Sequence, residues 1–409
     1  MYDHPSQMEP LFPTGNEELV DLGLNVIRQS AALGGQLHPV TRTTIIDLLR
    51  IINSYYSNRI EGHNTHPIDI ERAMRQEYAE NSAKRALQIE SRVHIEVQKQ
   101  IESRFNTERN LNVTELAFLT FIHKQFYQHL PTLFQWINDP QTGESVKIEA
   151  GELRTREVKV GLHIPPQHDK LPLFLERFGS FYQLNKFHGA NTVIAAAAAH
   201  HRFMWIHPFL DGNGRVARLF TDAYLRHVLM EGYGLCLVSR GLARQRDDYM
   251  SSLTWADAPR RNDYNGRGNL SNEGLIHFCH FFLKSCLDQI EFMNQRLQLD
   301  SLLERLRGYV YLRHAKTIPP LIPQYQSLKT EAADLLQAVL LRGVMARGEA
   351  ARVTQLPERT ARTVIKQLLE ERLLVSESPK GRVKIGIPAA VATYWFPELY
   401  PEQVNSDLY

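Results

Sequence analysis

Between residues 192 and 218 the chain passes from an alanine-rich apolar stretch, through a loop forced open by proline and glycine, into a second stretch whose apolar residues recur at helical spacing. An alanine-rich helix over 192–205 can be buried on nearly all sides. The helix after the loop carries one apolar face, from Val216, Leu219, Phe220, Ala223, Tyr224 and Val228. The same period recurs elsewhere, in Leu111, Val113, Leu116, Phe118, Leu119 and Ile122, or in Ile276, Phe278, Phe281, Phe282 and Leu283. The chain is therefore expected to be mainly α-helical. Two segments break the period: residues 156–164 alternate charged with β-branched residues, and 373–387 read as two short strands about a Ser-Pro-Lys-Gly turn.

At 409 residues the chain is expected to hold several packed units. Its 43% apolar and 22% charged residues are those of a globular protein, and a net charge of +2 is not that of a protein coated by nucleic acid. The longest apolar stretch, 192–199, is too short to cross a bilayer. Met1-Tyr2-Asp3-His4-Pro5 lacks the pattern of a secretory signal. Cys236, Cys279 and Cys286 are odd in number and form no Cys-x-x-Cys, so a reducing cytoplasm is expected, with three buried thiols. Pro319, Pro320 and Pro323 mark a linker, and the polar residues 257–271 a long loop.

The loop itself reads His207-Pro208-Phe209-Leu210-Asp211-Gly212-Asn213-Gly214-Arg215-Val216-Ala217-Arg218. It runs into a helix N-terminus, where free N–H groups and the positive dipole end favour an anion. Gly212 and Gly214 let the backbone approach phosphate oxygens, Asn213 can donate to another, and Arg215 and Arg218 supply planar charged donors. Asp211 is a hard oxygen ligand suited to Mg²⁺, and His207 can take a proton from an attacking hydroxyl. Phe209 would peg the loop to the core. The plainer readings are a glycine-rich turn with solvated charges, or a zinc site from His200, His201, His207 and Asp211.

This run matches every fixed position of His-x-Phe-x-Asp/Glu-Gly-Asn-Gly-Arg-x-x-Arg, so the chain resembles the Fic family over about 113 to 285. The resemblance implies a helical bundle with a β-hairpin flap, and transfer of AMP from ATP to a protein hydroxyl with release of pyrophosphate. It implies His207 as base, Asp211 as Mg²⁺ ligand, Asn213 and the amides of Gly212 and Gly214 as the phosphate cradle, and Arg215 and Arg218 on the outer phosphates. The Doc-like kinase branch has lysine where this chain has Gly214, which disfavours phosphoryl transfer. The flap would be Val158, Lys159, Val160, Gly161, Leu162 and His163, entered through Gly151-Glu152-Leu153-Arg154, and could pair with an extended target segment. Tyr249 is a candidate adenine contact.

Upstream, Ser57-Asn58-Arg59-Ile60-Glu61-Gly62 ends a helical pattern. Gly62 is a natural stop, which leaves the Glu61 carboxylate where the helix dipole disfavours it. Ser57, Glu61 and Gly62 also match the Ser/Thr-x-x-x-Glu-Gly/Asn of Fic proteins with an N-terminal inhibitory helix. That resemblance implies that Glu61 pairs with Arg218 and obstructs the γ-phosphate. The same carboxylate could instead position water to remove AMP from a modified target.

Near the C-terminus, residues 331–388 run helix, helix, turn, helix, hairpin, the order of a winged helix, with ten Lys/Arg against seven Asp/Glu. Arg359, Arg362, Thr363 and Lys366 would lie on the polar side of the third helix, and Arg382 and Lys384 on the wing, where they could contact DNA; docking to a protein is the other reading. The expected organisation is a helical regulatory domain over 1–112, a catalytic domain over 113–290, a linker over 291–330, the winged helix over 331–388 and a tail over 389–409. The leading expectation is an autoinhibited protein adenylyltransferase that uses ATP and Mg²⁺ on a protein target, itself included. The rival is a DNA-binding regulator that uses the domain as a nucleotide sensor.

Overall fold

The computed structural model describes residues 2–138, 143–229 and 232–401. Helices α1 (Glu17–Gly34), α2 (Pro39–Ile60), α3 (Pro67–Met74) and α4 (Ser82–Thr107) come first. Proline at the first position starts α2, and its missing N–H costs nothing there. Gly62, at φ +88°, lets the chain leave beyond Glu61. After α5 (Leu116–Tyr127), strands β1 (Trp136–Asn138) and β2 (Ser145–Lys147) form an antiparallel pair in which Ile137 faces Val146.

The centre follows, with α6 (Leu171–Phe181), α7 (Ala190–Ile206), α8 (Asn213–Leu229), α9 (Val238–Arg244), α10 (Arg246–Ala256) and α11 (Asn272–Leu297). Helix α7 packs against α1, α8 and α11, and Ala195 to Ala199 are all fully buried. Where α1 crosses α7, a Cβ on Gly23 would lie 3.1 Å from Ala190 and Val193. The residues before α1, with a short 3-10 turn at Pro5–Met8, also join this core: Pro10 O accepts from the buried Arg202, and Tyr2 O from the N–H of Gln167. The 1–112 and 113–290 regions thus share one apolar interior.

Beyond α12 (Leu299–His314) come α13 (Ala332–Arg342), β3 (Val344–Met345), α14 (Ala350–Thr354), α15 (Glu358–Glu370), β4 (Leu374–Val375), β5 (Val383–Ile385) and α16 (Ala389–Trp395). The three strands form an antiparallel sheet in the order β3, β5, β4. Arg313 of α12 and Glu371, both buried, make two hydrogen bonds of 2.9 Å that hold α15 to α12. The buried Thr41 hydroxyl of α2 donates to Leu340 O at 2.7 Å, and β5 packs on the same helix.

Two expectations need correction. Residues 158–164 do not form a two-stranded hairpin: only Val160 and His163 pair, across a turn at Gly161 and Leu162. A regular hairpin exists earlier instead, as β1 and β2. Residues 389–401 are not a tail, because Trp395, Phe396, Leu399 and Tyr400 are buried and the carbonyls of Glu398 and Leu399 accept hydrogen bonds from Arg240. The rest of that segment, 402–409, lies outside the described residues.

Candidate functional site

Helix α7 stops because His207 takes the left-handed conformation (φ 49°, ψ 61°), a strained place for a non-glycine residue. Pro208 follows, and Phe209 is buried with its ring stacked on His123 of α5 at 4.0 Å. Asn213 closes the loop from the other side: its amide oxygen accepts from Phe209 N at 2.9 Å and its amide N–H donates to Phe209 O at 2.8 Å. Gly212 has φ +78°, and a Cβ there would meet the Tyr127 ring at 2.5 Å. Helix α8 begins at Asn213, so Gly214 lies in its first turn, not in the loop.

His207 Nδ1 lies 3.3 Å from Met204 O, a contact that requires the proton on Nδ1 and leaves the Nε2 lone pair available. Loss of water is the largest influence on this imidazole and lowers its pKa to about 4. Asp211 accepts from the Tyr127 hydroxyl at 2.8 Å through Oδ2. Its carbonyl lies 3.3 Å from His123 Nε2, while His123 Nδ1 accepts from Gly151 N at 2.8 Å. Burial lowers the His123 pKa to about 4, in keeping with a neutral ring fixed between these two partners.

Both arginines meet carboxylates from the N-terminal helices. Arg218 donates from Nε to Ser57 Oγ at 2.9 Å, and from Nη2 to Ser57 O at 3.1 Å and Glu61 Oε1 at 2.5 Å. Burial opposes the charge on Glu61, but Arg218 and Arg215 outweigh it and hold its pKa below the usual carboxylate value. Arg215 Nη2 lies 2.7 Å from Glu90 Oε1, with its guanidinium over the Phe126 ring. A Cβ on Gly214 would come within 2.6 Å of Glu61 Oε1, so glycine makes room for that carboxylate.

Residues 114–225 match the family described as Fic/DOC. The chain carries a Fic domain. Among curated relatives, the protein adenylyltransferase Fic of Drosophila grimshawi is 36% identical over 142 residues, covering 35% of this chain and 25% of that protein. The protein of the same name from Drosophila erecta is 30% identical over 189 residues, covering 46% of this chain and 30% of that protein. The chain thus spans less than a third of the length of these relatives. A crystal structure of a Fic family protein from Desulfovibrio desulfuricans G20 aligns with a TM-score of 0.51 at 16% identity, over 91% of this chain and 97% of that one, and shares the fold.

Ser57, Glu61 and Gly62, at the end of α2 and outside the matched residues, meet Asp211, Gly212, Asn213, Gly214, Arg215 and Arg218 of the Fic domain around the start of α8, beside His207. Asn213, expected to donate to a phosphate, engages its amide oxygen and one amide N–H with the Phe209 backbone, which leaves its second amide N–H and its backbone N–H for a ligand. Tyr249 is no adenine contact: it is fully buried, with its hydroxyl 2.8 Å from His200 Nε2. His200 and His201 are core residues, bonded to Thr221 and Tyr249 and to Asp257 and Leu253, and no metal-binding group of three or more His, Cys, Asp or Glu occurs among the described residues.

In the flap, Lys159, Val160, Gly161 and Leu162 are exposed, Leu162 by 87%, with Val158 half-buried; His163 Nε2 is anchored 2.7 Å from Trp205 O. Beside it Tyr2, Leu162, Ile164, Thr254 and Asp257 line a groove of about 680 Å³. Arg359, Arg362 and Lys366 lie on the exposed face of α15, far in sequence from the Fic motif; Arg362 pairs with Glu358 at 3.1 Å and Lys366 with Glu370 at 3.7 Å. The sequence reading missed Glu90, His63, His123 and Tyr127, and gave Arg154 no role. Each is one residue on a distant element, with no spacing to the motif that could single it out.

Proposed function

We propose that this protein is an autoinhibited protein adenylyltransferase, which moves AMP from ATP to a Ser, Thr or Tyr hydroxyl of a protein target or of itself. The observation that carries the reading is the 2.5 Å pair between Glu61, at the end of α2, and the last arginine of a complete Fic motif, Arg218. Arg218 suits the outer phosphates of ATP, and a carboxylate bound to it takes the place and the charge partner that the γ-phosphate needs. With Glu61 withdrawn, Arg218 holds that phosphate, and the backbone N–H groups at the start of α8 cradle the phosphates with the helix dipole behind them. His207 Nε2 then accepts the proton of the target hydroxyl, whose oxygen bonds to the α-phosphorus as the bond to pyrophosphate breaks.

Asp211 fits Mg²⁺ that arrives with the nucleotide, since a half-buried carboxylate with one oxygen on Tyr127 and the other open can supply one ligand while phosphates supply more. The ion would offset the charge that develops on the leaving pyrophosphate. The exposed flap offers a backbone edge for an extended target segment.

The C-terminal unit fits a winged helix, with β4 and β5 as the wing base and α15 as the exposed helix. Its partner is DNA or a protein, and salt separates them: DNA affinity would fall steeply with salt and with neutralisation of Arg359, Arg362 and Lys366. The three cysteines, all buried with free thiols, fit a reducing compartment such as the cytoplasm, and no helix among the described residues is long and apolar enough to cross a membrane. The deciding experiment incubates the Glu61→Gly protein with ATP, Mg²⁺ and lysate proteins and seeks AMP-bearing peptides by mass spectrometry. Absence of AMP from every protein, the enzyme included, would refute the activity.

A further inference from the structure

The carboxylate of Glu90 lies in the first half of α4, with its side chain 1% exposed. One oxygen is 2.7 Å from Arg215 Nη2, and the other is 2.7 Å from His63 Nδ1, next to Gly62. His63 Nδ1 is itself 3.4 Å from Arg215 Nη2, and the Phe126 ring, centred 5.4 Å from the Arg215 guanidinium carbon, adds a further contact. Arg215 is buried, yet its Nε has no hydrogen-bond partner among the described residues. A buried donor without a partner is costly, and one beside a phosphate-type helix start points to a ligand oxygen.

The two carboxylates that meet the motif arginines differ in freedom. Glu61 caps the end of α2, is 32% exposed and precedes a glycine, so it can swing away without disturbing the core. Glu90 is enclosed where α4 packs against α2, α5 and α8, with its second oxygen held by His63. We propose that Glu90 is a positioning residue for ATP: it keeps Arg215 fixed through binding and transfer, with Nε held as a donor to a phosphate oxygen, and it is not a second inhibitory lock. This rests on the adenylyltransferase reading only for the reaction; the effect on nucleotide binding stands apart from it.

The test uses the full chain with Glu61→Gly, to which Glu90→Gln, Arg215→Lys or both are added. ATP affinity is measured by calorimetry with Mg²⁺, and KM and kcat by AMP incorporation. Glu90→Gln should weaken ATP binding and raise KM about tenfold, the scale of one misaligned charge-assisted hydrogen bond, with a smaller change in kcat. Arg215→Lys should do the same, and the double variant should be little worse than either, because both remove one unit. Tighter ATP binding or faster transfer in Glu90→Gln would make Glu90 a lock and overturn the proposal. A lower melting temperature with unchanged ATP affinity would make it merely structural, and additive losses would break the link to Arg215. If Glu90→Gln does not fold, Glu90→Asp gives the same readouts. If the parent Glu61→Gly protein transfers no AMP, the activity reading fails while calorimetry still decides the role of Glu90.

Discussion

The guanidinium of Arg154 donates from Nε to the carbonyl of His207 at 2.9 Å. Its other nitrogens donate to the carbonyls of Arg156 and Pro166, and its backbone N–H to Pro208 O at 2.9 Å. One buried side chain therefore ties both ends of the flap to the strained residue that ends α7. Arg154→Met should take the side-chain donor from the buried Pro166 carbonyl and the half-buried carbonyls of Arg156 and His207, and cost about 1–3 kcal/mol of stability, read by denaturant unfolding. AMP transfer should fall more than ATP binding does. Wild-type stability in the variant would show that water replaces the guanidinium.

Release of Arg218 should raise transfer. A charge-assisted bond of about 1.5–3 kcal/mol corresponds to roughly 10–100-fold in occupancy of the competent state, so Glu61→Gly should increase AMP incorporation within that range. Arg218→Ala should be inactive with or without Glu61. Activity in Glu61→Gly with Arg218→Ala equal to that of Glu61→Gly alone would refute inhibition through this pair.

Gly214→Ala should change sign with its background. Alanine in place of glycine ordinarily favours a helix by about 1 kcal/mol. Here the new methyl would lie 2.6 Å from Glu61 Oε1 and 3.0 Å from Arg218 Nη1, so it should expel the carboxylate and destabilise the wild-type protein. In Glu61→Gly the main obstacle is absent, and the same change should be neutral or stabilising. Thermal unfolding of the four proteins in the cycle measures this coupling, and equal effects in both backgrounds would contradict it.

The pH dependence of kcat/KM should report a depressed base. With its pKa near 4, His207 stays unprotonated well below neutrality, so kcat/KM of Glu61→Gly should be level from pH 8 to about pH 5.5 and fall only as the pH approaches 4. An ordinary histidine near pH 6.5 would have lost about nine-tenths of its free base by pH 5.5. An inflection near 6.5 would reject the desolvated base. His207→Ala should lose about 10²–10⁴ in rate while retaining ATP binding.

The motif was legible because its chemistry is concentrated: His207 to Arg218 lie within twelve residues, and proline and glycine announce the loop. Glu61 was legible for a related reason, since a carboxylate at a helix end before Gly62 is a local misfit. Glu90 gave no such sign, because a single glutamate in the polar-rich pattern of α4 reads as solvated until α8 is packed against it. Tyr249 failed in the opposite way: it was a candidate for the adenine with no motif of its own to place it, and its hydroxyl turns inward to His200. The flap misled because alternation of residue types marks an extended chain without saying whether a partner strand exists. Strands β1 and β2, three residues each, were too short for alternation to reveal.

The alanine run of α7 has a mechanical consequence. Residues 195–199 have no side-chain torsions with which to absorb a shift, and α1, α8 and α11 pack around their helix. A displacement there is passed along the axis as a rigid translation, and His207 lies about 16 Å away at the tip. Its imidazole is the needle of a gauge whose zero is set deep in the bundle. An added methylene at Ala196 would thus miscalibrate proton acceptance without altering a single residue that a nucleotide could touch.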